Sequence, residues 1–107
     1  PLANEQRIRF IKLFLEKGFS SYMGISLIHM AVELGNEEAV ELILKYGGID
    51  CLNMKAESDF GTNIKRGDTC LHIAIRLGKE EIVEMLMKYG SNLNIKNKDR
   101  ETPKTLG

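Results

Sequence analysis

The sequence predicts an all-α repeat fold, a stack of helix–turn–helix units, and three observations predict it. The chain repeats itself, because Ile25 to Gly47 reads ISLIHMAVELGNEEAVELILKYG and Asp68 to Gly90 reads DTCLHIAIRLGKEEIVEMLMKYG. Within each copy the apolar positions change phase once, as two consecutive helices with different buried faces require. A glycine then closes each half of each copy. Such self-similarity marks units that bury a core only against their neighbours, and stacks of this kind present extended binding surfaces.

Taken in order, residues 1–18 form a partial repeat, since Phe10 to Gly18 (FIKLFLEKG) aligns with Ile82 to Gly90 (IVEMLMKYG) as the second helix of a unit. Residues 21–53 form a full repeat, with one helix from Ser26 to Gly35 and another from Asn36 to Gly47. Residues 54–66 are an insertion. Residues 67–96 form the next full repeat, whose first helix is capped by Asp68 or Thr69 and ended by Gly78. Glu80 and Glu81 open its second helix at the end where the macrodipole favours acidic groups, and Lys88 suits the other end. Ile82, Val83, Met85, Leu86 and Met87 supply the packing face, and Gly90 stops the helix. Residues 97–107 begin a further repeat or act as a C-terminal cap.

One hexapeptide recurs at the head of the units: Ser26-Leu27-Ile28-His29-Met30-Ala31, then Thr69-Cys70-Leu71-His72-Ile73-Ala74, then Thr102-Pro103-Lys104-Thr105-Leu106-Gly107. From Thr69 to Thr102 the step is 33 residues. The pattern resembles the ankyrin repeat, whose T-P-L-H-x-A signature opens a unit of about 33 residues. Proline is absent from the first two copies, and Lys104 stands where an apolar residue is expected. The resemblance covers nearly the whole chain. It implies an ankyrin-type solenoid with projecting hairpin fingers.

Between His29 and His72 the step is 43 residues, ten more than the family period, and the excess lies in 54–66. The resemblance therefore implies one elongated finger. Two readings of it stay open: a mobile surface excursion, because lengthening a loop costs little chain entropy, or a binding element in which Phe60 is an apolar anchor rimmed by Glu57, Asp59, Lys65 and Arg66. The finger before the first full repeat is short, with Tyr22 and Met23 at its tip.

Acidic and basic residues balance at 15 each in 107 residues, which argues against nucleic acid or an anionic membrane as the bulk partner. The start, Pro1-Leu2-Ala3-Asn4, has no initiator Met and no signal-peptide pattern, as expected of a fragment or processed chain. Cys51 and Cys70 are too few for a disulfide scaffold, so a reducing compartment, cytoplasm or nucleus, is expected. Cys70 is read as a buried, inert thiol and Cys51 as the more exposed one. The methionines are read mostly as core fillers. His29 and His72 recur at one signature position with no Cys or carboxylate at ligand spacing, so no metal site is expected, and the resemblance implies that they tie adjacent repeats. No catalytic motif is present, and no cofactor is expected.

The resemblance implies a non-enzymatic protein–protein interaction module, an adaptor, scaffold or inhibitor, binding across its concave face and finger tips. Carried over residue by residue, the contact positions are Tyr22, Met23, Ile25, Glu33 and Leu34 in one unit. In the next they are Lys65, Arg66, Asp68, Arg76 and Leu77, and in the last finger Lys98, Asp99 and Glu101, with Phe60 in the insertion. Asn94 stands at the finger position that asparaginyl hydroxylases modify in some ankyrin-like proteins. Arg100 replaces an expected finger glycine, which predicts mild backbone strain. Alternatives are an inhibitor like the IκB-type proteins, a regulatory segment of a larger enzyme or channel, and a self-assembling unit pairing through Phe10 and Phe14. The chain is expected as a monomer or in weak self-association, with no small-molecule substrate.

Overall fold

In the computed structural model, residues 21–22, 25–46 and 52–106 are described. The expected partial repeat at 1–18, with Phe10 and Phe14, lies outside them, as do Met23 and Cys51. The element order is β1 (Ser21–Tyr22), β2 (Ile25–Ser26), α1 (Leu27–Leu34), α2 (Glu37–Tyr46), α3 (Cys70–Arg76), α4 (Glu80–Lys88) and α5 (Pro103–Leu106). β1 and β2 pair antiparallel, Ser21 with Ser26 and Tyr22 with Ile25. Among the described residues the helical units thus carry this one pair of two-residue strands, just before α1.

Each full copy folds as the phase change requires. α1 buries Ile28, His29, Ala31 and Val32, and α3 buries the corresponding Leu71, His72 and Ala74 with Cys70 and Ile73. Asn36 caps α2 by accepting a hydrogen bond from the Ala39 backbone at 3.1 Å, satisfying one of the free amides of a helix start. Thr69 caps α3 in extended backbone geometry, and its backbone N–H donates to Nδ1 of His72 at 2.9 Å. α4 begins at Lys79 without a side-chain cap, so Glu80 and Glu81 meet its positive end alone.

Like elements stack on like: α1 packs on α3, α2 on α4, and α5 on α3 as α3 does on α1. The core runs through both copies, from Ile28, Val32, Val40 and Ile43 to Leu71, Ile73, Ile82 and Leu86. On α4 only Ile82 and Leu86 are fully buried, while Met87, expected on the packing face, is 40% exposed. A helix turns about 100° per residue, so the stripe set by the i, i+4 pair Ile82 and Leu86 rotates Met87 off the core. Met54 is exposed as well, whereas Met30 and Met85 pack against the core.

The third copy of the signature also opens a helix. Thr102 caps α5, its Oγ1 accepting from the Thr105 backbone at 3.2 Å, and Lys104 is tolerated because its side is solvent-exposed. Arg100 has φ 63°, in the left-handed region expected of the glycine it replaces.

The two histidines tie the units together. Nε2 of His29 donates to the carbonyl of Asp68 at 2.9 Å, and Nε2 of His72 donates to the carbonyl of Glu101 at 2.9 Å. For His72 the tautomer follows from its neighbours: Nδ1 accepts from the Thr69 amide, so in the neutral ring the proton sits on Nε2. Burial lowers the pKa of His29 from 6.5, against the opposing backbone bonds to Asp68 and Met54. The Cys70 thiol is fully buried and donates to the Leu52 carbonyl at 3.3 Å.

Candidate partner-binding surface

Where the inserted segment returns to the helices, the turn from Lys65 to Asp68 is closed by the Asp68 amide on the Lys65 carbonyl at 2.9 Å. This turn places the Asp68 carboxylate inside the junction between repeats, 0% exposed. Arg76 grips it with two nitrogens, Nη1 to Oδ2 at 2.7 Å and Nη2 to Oδ1 at 3.1 Å. Asn97 Nδ2 donates to Oδ1 at 2.9 Å, and the Lys65 amide donates to Oδ2 at 2.9 Å. Burial pushes the Asp68 carboxyl up, but the bonds from Arg76, Asn97 and Lys65 outweigh it and hold the group below 3.8. The same pairing raises Arg76 further.

Around this buried pair lies a set of partly exposed ones. Lys65 Nζ reaches Asp99 at 2.8 Å and Glu101 at 3.3 Å, and Lys98 Nζ reaches Asp59 at 2.8 Å. The hydrogen bonds to Asp99 and Glu101 raise Lys65, and Lys98 holds Asp59 low. Each such bridge contributes little to stability, yet together they fix how the inserted segment lies against the loop at 92–101. Backbone contact does the same, since the Lys98 amide donates to the Arg66 carbonyl at 2.9 Å. Gly67 makes this approach possible: its φ is +87°, and a Cβ there would lie 2.8 Å from the Asn97 Cα.

The inserted segment contributes Ala56 and Ile64 to the core. Its ends pair through the Ala56 amide on the Asp68 carbonyl at 2.8 Å and the Gly67 amide on the Ala56 carbonyl at 2.7 Å. Farther out Phe60 and Ile64 form an antiparallel bridge. Ala56 and Ile64 are buried, and Phe60 is half-buried against the same core. Phe60 turns partly and Ile64 fully toward the core. Between them the turn lies over the ends of the first helices: Arg76 Nη1 donates to the Asn63 carbonyl at 2.8 Å, and a Cβ on Gly61 would stand 3.9 Å from the Glu33 carboxylate.

The positions expected to meet a partner therefore fall into distinct places. Asp68, expected among the contact positions, has a buried side chain whose charge is paired with Arg76. The Arg76 side chain is 19% exposed and engaged by Asp68 and Asn63. Glu33, Leu77 and Glu101 are half-buried, and Phe60 packs inward. Leu34 is 76% exposed, and Arg66, Lys98 and Asp99 are exposed too. Tyr22 and Ile25 are backbone partners in the β1–β2 register.

Sequence reasoning missed Asn97 and Asn63. Asn97 uses its whole amide: Oδ1 accepts from the Asp99 and Glu101 amides at 3.0 Å each, and Nδ2 donates to Asp68 and Glu101 at 2.9 Å each. An Asn opening a charged turn is the signal that could have found it. Asn63 acts through its carbonyl, which no side-chain pattern reports.

Among the described residues no group of three His, Cys, Asp or Glu could hold a metal ion, and no helix is long and apolar enough to cross a membrane. Among the described residues the surface offers paired charges on the insertion and last loop and the exposed Leu34. Compared with known proteins, residues 2–97 match a family model described as ankyrin repeats in three copies. A search of the curated proteins returned no match.

Proposed function

The chain belongs to the ankyrin-repeat family, whose members are in general protein–protein interaction modules, and on that premise we propose that it is a non-enzymatic module of this kind. Its units are read as a short solenoid and residues 54–66 as an elongated finger. The contact surface is the outer side of that finger, the loop tips at Arg66, Lys98 and Asp99, and the exposed Leu34. One observation carries this reading: the turn of the inserted segment covers the first-helix ends at Arg76 and Glu33. A partner approaching the concave face there meets the finger before the helices. The ordered ion pairs lower the entropic cost of binding by holding the surface in one shape. The buried reduced Cys70 suits a cytoplasmic or nuclear setting.

Affinity capture from a reducing extract tests the surface. Leu34→Asp is expected to lose a protein that the unaltered chain retains, while Glu84→Lys on α4 keeps it. Loss with Glu84→Lys alone would move the interface to the second helices and contradict the proposal.

A further inference from the structure

Although the chain's formal charge sums to zero, its charge is not evenly satisfied. Among the described residues, the carboxylates of the insertion and the last loop are largely taken: Asp59 by Lys98, Asp99 and Glu101 by Lys65, and Asp68 by Arg76. Four of the cations are not. Lys55, Arg66, Lys96 and Arg100 are exposed, and no salt bridge engages them among the described residues. Against them stands Glu57 alone. The loop edge thus carries an excess of uncompensated positive charge.

Part of this excess lines a groove of about 390 Å³ between the inserted segment and the last loop, with Lys55 and Glu57 on one side, Lys98 and Asn97 on the other, and Arg66 and Gly67 between. The groove is preorganised by main-chain bonds. The Arg66 amide donates to Asp59 Oδ1 at 2.8 Å and its carbonyl accepts from the Lys98 amide, so the backbone is held on both sides while the guanidinium is left exposed. Lys98 is positioned by Asp59 at 2.8 Å, and the Ala56 backbone is bonded through both its amide and its carbonyl. An arginine fixed at its root is suited to bidentate binding of a carboxylate.

Resting on the interaction reading above, we infer that this groove between Lys55, Arg66 and Lys98 docks an acidic peptide segment of the partner, with carboxylates paired to Arg66 and Lys55. A peptide fits better than a nucleic acid. Glu57 and the flanking Asp59 and Asp99 would repel a continuous phosphate backbone, whereas a segment of spaced carboxylates can avoid them. The groove also offers no exposed aromatic ring on which a base could stack.

The test uses a short Glu-rich peptide, the same peptide with Gln for every Glu, and oligothymidylate as probes, read by amide chemical shifts of the labelled chain. The Glu peptide is expected to shift Lys55, Arg66, Gly67 and Lys98, to bind at least about tenfold more weakly to Arg66→Glu, and to weaken with salt as the Debye length falls toward about 8 Å. Since the Arg66 side chain is exposed, Arg66→Glu should unfold thermally like the unaltered chain. No shifts at the groove, equal binding of the Gln peptide, or binding of oligothymidylate as tight as that of the Glu peptide would each overturn the inference. A protein still captured by Arg66→Glu but lost by Leu34→Asp would overturn the acidic assignment while leaving the interaction reading in place.

Discussion

Nε2 of His29 and the carbonyl oxygen of Asp68 are 2.9 Å apart across 39 residues of chain. The equivalent bond, His72 to Glu101, spans 29. The ten additional residues fall within the inserted segment, so the tie between repeats is retained while the chain joining its two ends is lengthened. Replacing His29 by Ala leaves a cavity and an unmade bond, and is expected to cost roughly 2–4 kcal/mol in urea unfolding.

The same histidine makes stability depend on pH with a definite sign. Burial lowers its folded pKa below the 6.5 of the free group, so the unfolded chain takes up the proton first. Stability is full above 6.5, declines as pH falls below it, and stops declining from this source once pH is under the folded value. Urea midpoints measured above and below that pH should show the decline. A His29→Gln chain should show less of it, and equal declines would rule out His29 as the source.

Asp68 and Arg76 form the buried pair at the base of the candidate surface. Asp68→Ala strands the guanidinium beside the core and is expected to cost about 3 kcal/mol. Arg76→Met removes the partner of a fully buried carboxylate and should make stability fall at higher pH than in the unaltered chain. The reason is that Arg76 helps hold the Asp68 carboxyl below 3.8, a contribution present above that value and lost as pH falls through the folded pKa. Acid titration of both chains by circular dichroism checks the difference.

Gly67 and Arg100 make opposite predictions about left-handed backbone. Gly67→Ala adds a methyl at φ +87°, against the Asn97 Cα, and should destabilise by at least about 2 kcal/mol. Arg100→Gly relieves a side chain held at φ 63° and should stabilise by up to about 1 kcal/mol, part of the relief being offset by glycine's greater freedom when unfolded. Thermal midpoints moving in one direction for both would contradict this account of the two turns.

The helices were readable because their causes are local: Asn36 and Thr69 cap, Gly35 and Gly78 end, and the apolar stripes repeat. The ties at His29 and His72 were readable because the family pattern names that position. The path of the insertion was not. Phe60 and Ile64 look like surface residues in a charged stretch, and only the fold brings Ile64 into contact with the core. Asp68 looked like a contact residue for the same reason, since the partners that consume its charge, Arg76 and Asn97, lie 8 and 29 residues onward. Met87 was misplaced for a local reason, one step of 100° around a helix.

Residues 54–66 send Ala56 and Ile64 into the core and cross the first-helix ends, and in the proposed role they form the surface a partner meets. Amide hydrogen exchange at Ala56, Phe60, Ile64 and Gly67 tests it most directly, because all four amides donate within the segment or to Asp68. The account predicts protection at these four approaching that of Ile73 in α3, and a matching loss of roughly 2–4 kcal/mol for Ile64→Ala. Exchange at the rate of an unstructured chain, with Ile64→Ala close to neutral, would show a free loop and contradict it.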